Sequence, residues 1–194
     1  MPFIQKNYPK ISGLCGIIGP TTAILVIFLA VSRAPWFSWT DNALSDLGVS
    51  DVAYLFNSAV IFAGVLNFVF AMRVNRVFGQ DRLSNIGSLT LVLGGASLGL
   101  VGVFTVDTPV IHWLVAMGYF VLFPVALIIL GYSLRNLDRK YGVFTILSGV
   151  LAFGGIFGLM GFYRGLAIPE IVEAVILALW TASMGYKLMT KSPA

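Results

Sequence analysis

The chain holds one cysteine, Cys15, one histidine, His112, and few charges: 12 Lys and Arg and 8 Asp and Glu among 194 residues, or 10%. One cysteine excludes an internal disulfide and any cysteine-based zinc cluster, and it carries no information about compartment. One histidine excludes bis-histidine haem ligation within the chain. There is no GxxxxGK[ST] loop, no strand running into GxGxxG and no basic stripe beyond the short loops, so neither nucleotide nor nucleic acid is an expected partner. What is present instead is apolar. Soluble domains are about 45–50% apolar and about 25% charged, whereas this chain is 58% hydrophobic with a mean hydropathy of +0.93. Its 21 glycines suit helices that approach closely in lipid.

A spanning helix takes about 20 apolar residues. Runs of that length occupy roughly 11–32, 52–72, 86–106, 112–134, 142–163 and 170–190. The expected architecture is all-α, a single six-helix transmembrane domain over residues 1–194, with a short interfacial helix in the first non-cytoplasmic loop. The first run is too long for a signal-peptide core and no small-x-small site precedes the following polar loop, so it reads as an anchor. Cationic loops stay on the cytoplasmic side. Lys6, Lys10, Arg73, Arg76, Arg82, Arg135, Arg139, Lys140, Lys187 and Lys191 fall on one side, and only Arg33 and Arg164 on the other. This split predicts a cell-membrane protein with both termini in the cytoplasm. Six of the eight carboxylates (Asp41, Asp46, Asp51, Asp107, Glu170 and Glu173) then lie on the outer side.

The longest outer connection is APWFSWTDNALSDLGVSD, residues 34–51. Thr40 or Asp41 can cap a short helix that places Leu44 and Leu47 on one side, and Gly48 suits its stop. Trp36, Phe37 and Trp39 belong at headgroup level. This loop is expected to lie over the mouth of the bundle. The pairs Gly95 with Gly99 and Gly154 with Gly158 mark expected close helix crossings. No internal repeat links the two three-helix halves.

Ionisable side chains in or near hydrocarbon are costly and face cavities or one another. Glu170 and Glu173 share one helix face, Glu173 about one turn deeper, and Trp180 continues that face inward. As first-turn residues after Pro169 they can also serve simply as helix-terminal carboxylates. His112 follows Asp107 by five residues across a loop containing Pro109, within reach of the same pocket. It is either a hydrogen-bonded helix-terminus residue, a metal ligand or a proton-transfer group. Arg164 either snorkels to the interface or neutralises the glutamates and holds an anionic headgroup. Asn57 needs a partner in lipid, and Ser45 stands beside Asp46 as a nucleophile beside a carboxylate would, without a GxSxG context. Asp46, His112 and Glu173 are the candidate catalytic groups. Ser45, Asn57, Arg164, Glu170 and Trp180 are candidate ligand-binding groups. Asp46, Asp107, His112 and Glu173 form a candidate set for a divalent cation, the one cofactor the residues suggest.

CGIIGP in the first helix, WTDNALSDLG in the outer loop, LFN opening the second helix, IH opening the fourth and IPEIVEA leading to Trp180 resemble the family called domain of unknown function 998. Its members are small, mostly prokaryotic and often archaeal multi-pass membrane proteins. The resemblance covers nearly the whole chain and implies the six-helix fold. It also implies that Ser45, Asp46, Leu47, Gly48, Asn57, His112, Glu170, Glu173 and Trp180 are family positions, Asp107 matching less closely. The family is distantly similar to the Frag1-like group, whose eukaryotic members are associated with lipid-anchor remodelling, but it brings no activity with it.

Three functions are compatible with these residues. The leading one is a carboxylate-rich pocket, open to the non-cytoplasmic side, that binds a lipid headgroup or cation and in one version acts on lipid as an enzyme. The second is a cation or proton-coupled transporter or channel. The third is a non-catalytic membrane interaction protein.

Overall fold

The computed structural model describes residues 2–78 and 81–190, and the side chains of 10–74 and 81–190 within them. Lys6, Arg76 and Lys191, three of the cations in the charge split, lie outside those described side chains. Among the described residues six helices are long and apolar enough to cross a membrane: α1 (Pro2–Ser32), α2 (Ala53–Phe78), α3 (Arg82–Val103), α4 (Pro109–Leu134), α5 (Arg139–Leu159) and α6 (Ala167–Thr190). A short 3₁₀ helix, Leu44–Val49, lies between α1 and α2 and is called the lid below.

Several boundaries differ from the sequence reading, and two of them have a clear local reason. α3 begins at Arg82, earlier than expected, because Asp81 caps it by accepting a hydrogen bond from the Ser84 amide at 2.7 Å. α5 stops at Leu159, and residues 160–166 leave the helix to pair with the first loop: the Gly165 amide donates to the Thr40 carbonyl at 2.8 Å and the Ala167 amide to the Asn42 carbonyl at 2.9 Å.

Successive helices pack on one another, and α6 returns to α1, which closes a ring. α2 also touches α4 and α6 across the interior. Since the connections alternate ends, α2, α4 and α6 all start at the lid end and run parallel. The Gly95 and Gly99 expectation is met at the α2–α3 crossing, where Gly99 lies against Gly64 so closely that a β-carbon on Gly64 would overlap the Gly99 backbone. The Gly154 and Gly158 expectation is corrected. A β-carbon at either position meets nothing within 4 Å, because that face of α5 points out of the bundle.

Apolar burial falls into two clusters. One surrounds Trp180, with Phe70, Phe123, Leu91 and Leu127. The other lies beneath the lid and joins Leu44 and Leu47 to Ile27, Val52, Phe56 and Ala167. At the end opposite the lid, two carboxylates serve helix termini. Asp81 accepts from the Ser133 hydroxyl of α4 at 2.8 Å as well as from Ser84. Asp138 begins α5 and pairs with Lys187 of α6 at 2.6 Å, while the Lys187 ammonium sits 3.4 Å from the centre of the Tyr141 ring. Hydrogen bonds from Ser84 and then Ser133 hold Asp81 below the ordinary carboxylate range, and the bond from Lys187 does the same for Asp138.

Candidate functional site

The lid is held from four directions. Its own start is formed by Asp46, whose Oδ2 accepts from the Ala43 amide at 2.9 Å and from Asn42 Nδ2 at 3.1 Å. The capping residue is therefore Ala43 with help from Asp46, and not Thr40 or Asp41. Asp41 faces outward and takes hydrogen bonds from the Ser38 and Thr40 hydroxyls, which hold it below the usual carboxylate range. Gly48 lies inside the lid and not at its stop. There Asn57 of α2 donates from Nδ2 to the Gly48 carbonyl at 2.9 Å. From α6, Glu170 Oε2 accepts the Leu44 amide at 2.6 Å. Leu44 and Leu47 supply the apolar fastening, being 5% and 0% exposed.

Beneath the lid runs a cavity of about 80 Å³, bounded by α1, α2, α3, α4 and α6. α5 contributes no lining residue. At the lid end it is edged by Ser45, His112 and Glu170. Its walls are apolar, including Ile24, Ile27, Val60, Leu98, Ala116 and Leu177. Asn67 and Thr181 border it further in. On each of α2, α4 and α6 the lining follows one helical face, from Phe56 to Asn67, His112 to Phe123 and Glu170 to Thr181. Each pair is eleven residues apart, about 16 Å at 1.5 Å per residue. Because the three helices all start at the lid end, Asn67, Phe123 and Thr181 each lie about three turns in from the lid-end residue of their own helix.

His112 Nδ1 lies 2.7 Å from the Phe104 carbonyl. A carbonyl only accepts, so Nδ1 carries the hydrogen, and in that tautomer Nε2 is an acceptor. Glu170 is 8% exposed and within electrostatic range of Asp46 and Glu173. Glu173 is fully buried one turn below, close enough to Tyr119 to act on it electrostatically, and neither of its oxygens has a hydrogen-bond partner among the described residues.

The structure thus brings Ser45, His112 and Glu170 to one cavity, with Asp46 and Glu173 beside them. It does not bring together the candidate cation set Asp46, Asp107, His112 and Glu173. Among the described residues no group of three or more His, Cys, Asp and Glu side chains is arranged to hold a metal ion. The reason is local: Asp46 is committed to the lid start, and Asp107 is exposed and accepts from the Thr105 hydroxyl. Arg164 is exposed and lies near Asp41, away from the glutamates. Asn57 fastens the lid instead of facing a ligand. Trp180 does not line the cavity; its Nε1 donates to Thr145 Oγ1 at 3.1 Å, and its ring packs edge-on against Phe70 and Phe123. Sequence reasoning missed Asn67, Tyr119 and Thr181. A signal existed for Asn67, the lone amide within GVLNFVF, since a polar side chain inside a spanning run needs a partner or a cavity.

No curated protein and no solved structure matches the chain. A family model described as protein of unknown function, DUF998, matches residues 17–187. That span contains the lid, all of its fastenings and every residue bordering the cavity, so the membrane bundle and its roofed cavity are those of a polytopic protein that belongs to the DUF998 family.

Proposed function

We propose that the cavity binds a single-chain amphiphile, its polar head at the lid end against Glu170, His112 and Ser45 and its chain along the apolar walls. One observation carries this reading: polar groups edge the lid end of a cavity whose walls, down to Asn67 and Thr181 at its inner end, are aliphatic and aromatic side chains. Charge narrows the head. Among the described residues no Lys or Arg lines the cavity, so a phosphate would lose its hydration there without a cationic partner. A neutral head rich in hydroxyls fits. It donates to Glu170 and His112 Nε2 and accepts from Ser45.

The test uses protein reconstituted in phosphatidylcholine nanodiscs and two probes with the same chain, dodecanoyl glycerol and dodecyl phosphate. The glycerol ester is expected to raise the thermal midpoint in proportion to occupancy and the phosphate to leave it unchanged. His112→Phe, which keeps a ring but removes the acceptor, is expected to weaken the response. Stabilisation by the phosphate and not by the glycerol ester would overturn the assignment of the head.

A further inference from the structure

We infer that the inner part of the cavity is a second polar subsite, built by Asn67 and Thr181, which takes a hydroxyl group at the far end of the bound chain. The inference rests on the amphiphile reading above and adds the ligand's other end to it. Asn67 is 4% exposed, borders the cavity, and its Oδ1 has no hydrogen-bond partner among the described residues. A buried carbonyl oxygen left unpaired costs free energy, and few buried polar atoms in native structures stay that way. Nothing about helix packing requires an amide here. The backbone approach of Gly95 at this crossing is nearest to the Phe68 amide nitrogen and to the backbone and β-carbon of Asn67. The amide itself extends beyond that contact to the cavity.

Thr181 borders the same cavity from α6 and is 1% exposed. Its hydroxyl donates to the Leu177 carbonyl at 2.6 Å, so the proton is spent and the oxygen presents lone pairs. The subsite therefore offers acceptors at two positions, with the Asn67 NH₂ as a donor beside them. A hydroxyl donates to Asn67 Oδ1 or Thr181 Oγ1 and accepts from Asn67 Nδ2. A methyl terminus leaves Oδ1 unpaired, and a carboxylate meets acceptors of its own kind. The spacing from Glu170 to Thr181, about 16 Å along α6, is the separation the two polar ends of the ligand have to match. The ligand class is accordingly an amphiphile with a polyol head and a hydroxylated tail.

Dodecanoyl glycerol and ω-hydroxydodecanoyl glycerol, which differ only at the chain end, decide the point in the same nanodiscs. Wild type is expected to bind the hydroxylated probe about threefold to tenfold more tightly, the worth of one net hydrogen bond. Asn67→Leu is expected to reverse that preference, and Thr181→Val, which keeps the volume, to reduce it. Equal or weaker binding of the hydroxylated probe by wild type, with the plain probe still bound, overturns the subsite and leaves the amphiphile reading standing; a water molecule satisfying Asn67 gives this outcome. Binding of neither probe overturns the amphiphile reading, and the subsite with it.

Discussion

At position 170 a carboxyl group both accepts the Leu44 amide and borders the cavity, so substitutions there separate the lid from the ligand. Glu170→Gln keeps an acceptor for the Leu44 N–H. Glu170→Leu leaves that amide buried and unpaired, at a cost of about 1–3 kcal/mol. Hydrogen exchange over residues 44–47 is expected to accelerate in the leucine variant and to stay near wild type in the glutamine variant; equal exchange in both removes Glu170 as the fastening. Gly48 gives a second test of the lid. A β-carbon there would lie 2.6 Å from Asn57 Oδ1 and 3.2 Å from the Phe56 ring, so Gly48→Ala displaces the Asn57 amide from the Gly48 carbonyl. Its expected destabilisation is about 1–3 kcal/mol, read as a fall in the thermal midpoint. A neutral result would mean that the lid shifts freely over α2. These residues explain what SDLG does in the sequence. Asp46 starts the lid, Leu47 seals it, and Gly48 lets Asn57 reach it.

Helix existence was legible because six apolar runs of bilayer length leave no other assignment. Helix facing was less so, and the two glycine pairs show why. Spacing of four makes a small-residue stripe on either side of a helix, but it does not say whether another helix lies there. Gly64→Ala is expected to disrupt the α2–α3 crossing and lower the thermal midpoint. Gly158→Ala, with open space around its β-carbon, is expected to be neutral or to stabilise by up to about 1 kcal/mol through helix propensity. If the two variants behave alike, the facing of α5 is wrong. The Asp138–Lys187 pair ties α5 to α6 and gives a pH dependence of definite sign. The folded-state pKa of Asp138 is lowered by Lys187, so the unfolded chain takes up the proton first as pH falls. The contribution of this pair is therefore present at neutral pH and lost below the ordinary carboxylate range. Asp138→Asn is expected to flatten that acid limb of a stability–pH profile, and an unchanged limb would assign it to other carboxylates.

For the molecule as a whole, the cation split predicts a bundle with its lid away from the cytoplasm, and thiol labelling tests this directly. In a Cys15→Ala background, Thr108→Cys is expected to react with an impermeant reagent from outside and Leu137→Cys only after permeabilisation; the opposite pattern reverses the orientation. The lid end of the site was legible from Asp46, His112 and Glu170, residues expensive in hydrocarbon. Its inner end was legible only in Asn67, the lone amide of an apolar run, because threonine returns its hydroxyl to its own helix so often that Thr181 gives no sign in sequence. Ring closure, finally, bears on how the chain is made. Each of the first five helices meets a sequence neighbour as it emerges, but α1 waits for α6, and the Leu44 amide waits for Glu170 on that same last helix. The roof over the cavity therefore completes only once α6 has been made. A nascent chain lacking α6 leaves the ring open between α5 and α1, and the arrival of α6 both closes that gap and fastens the lid.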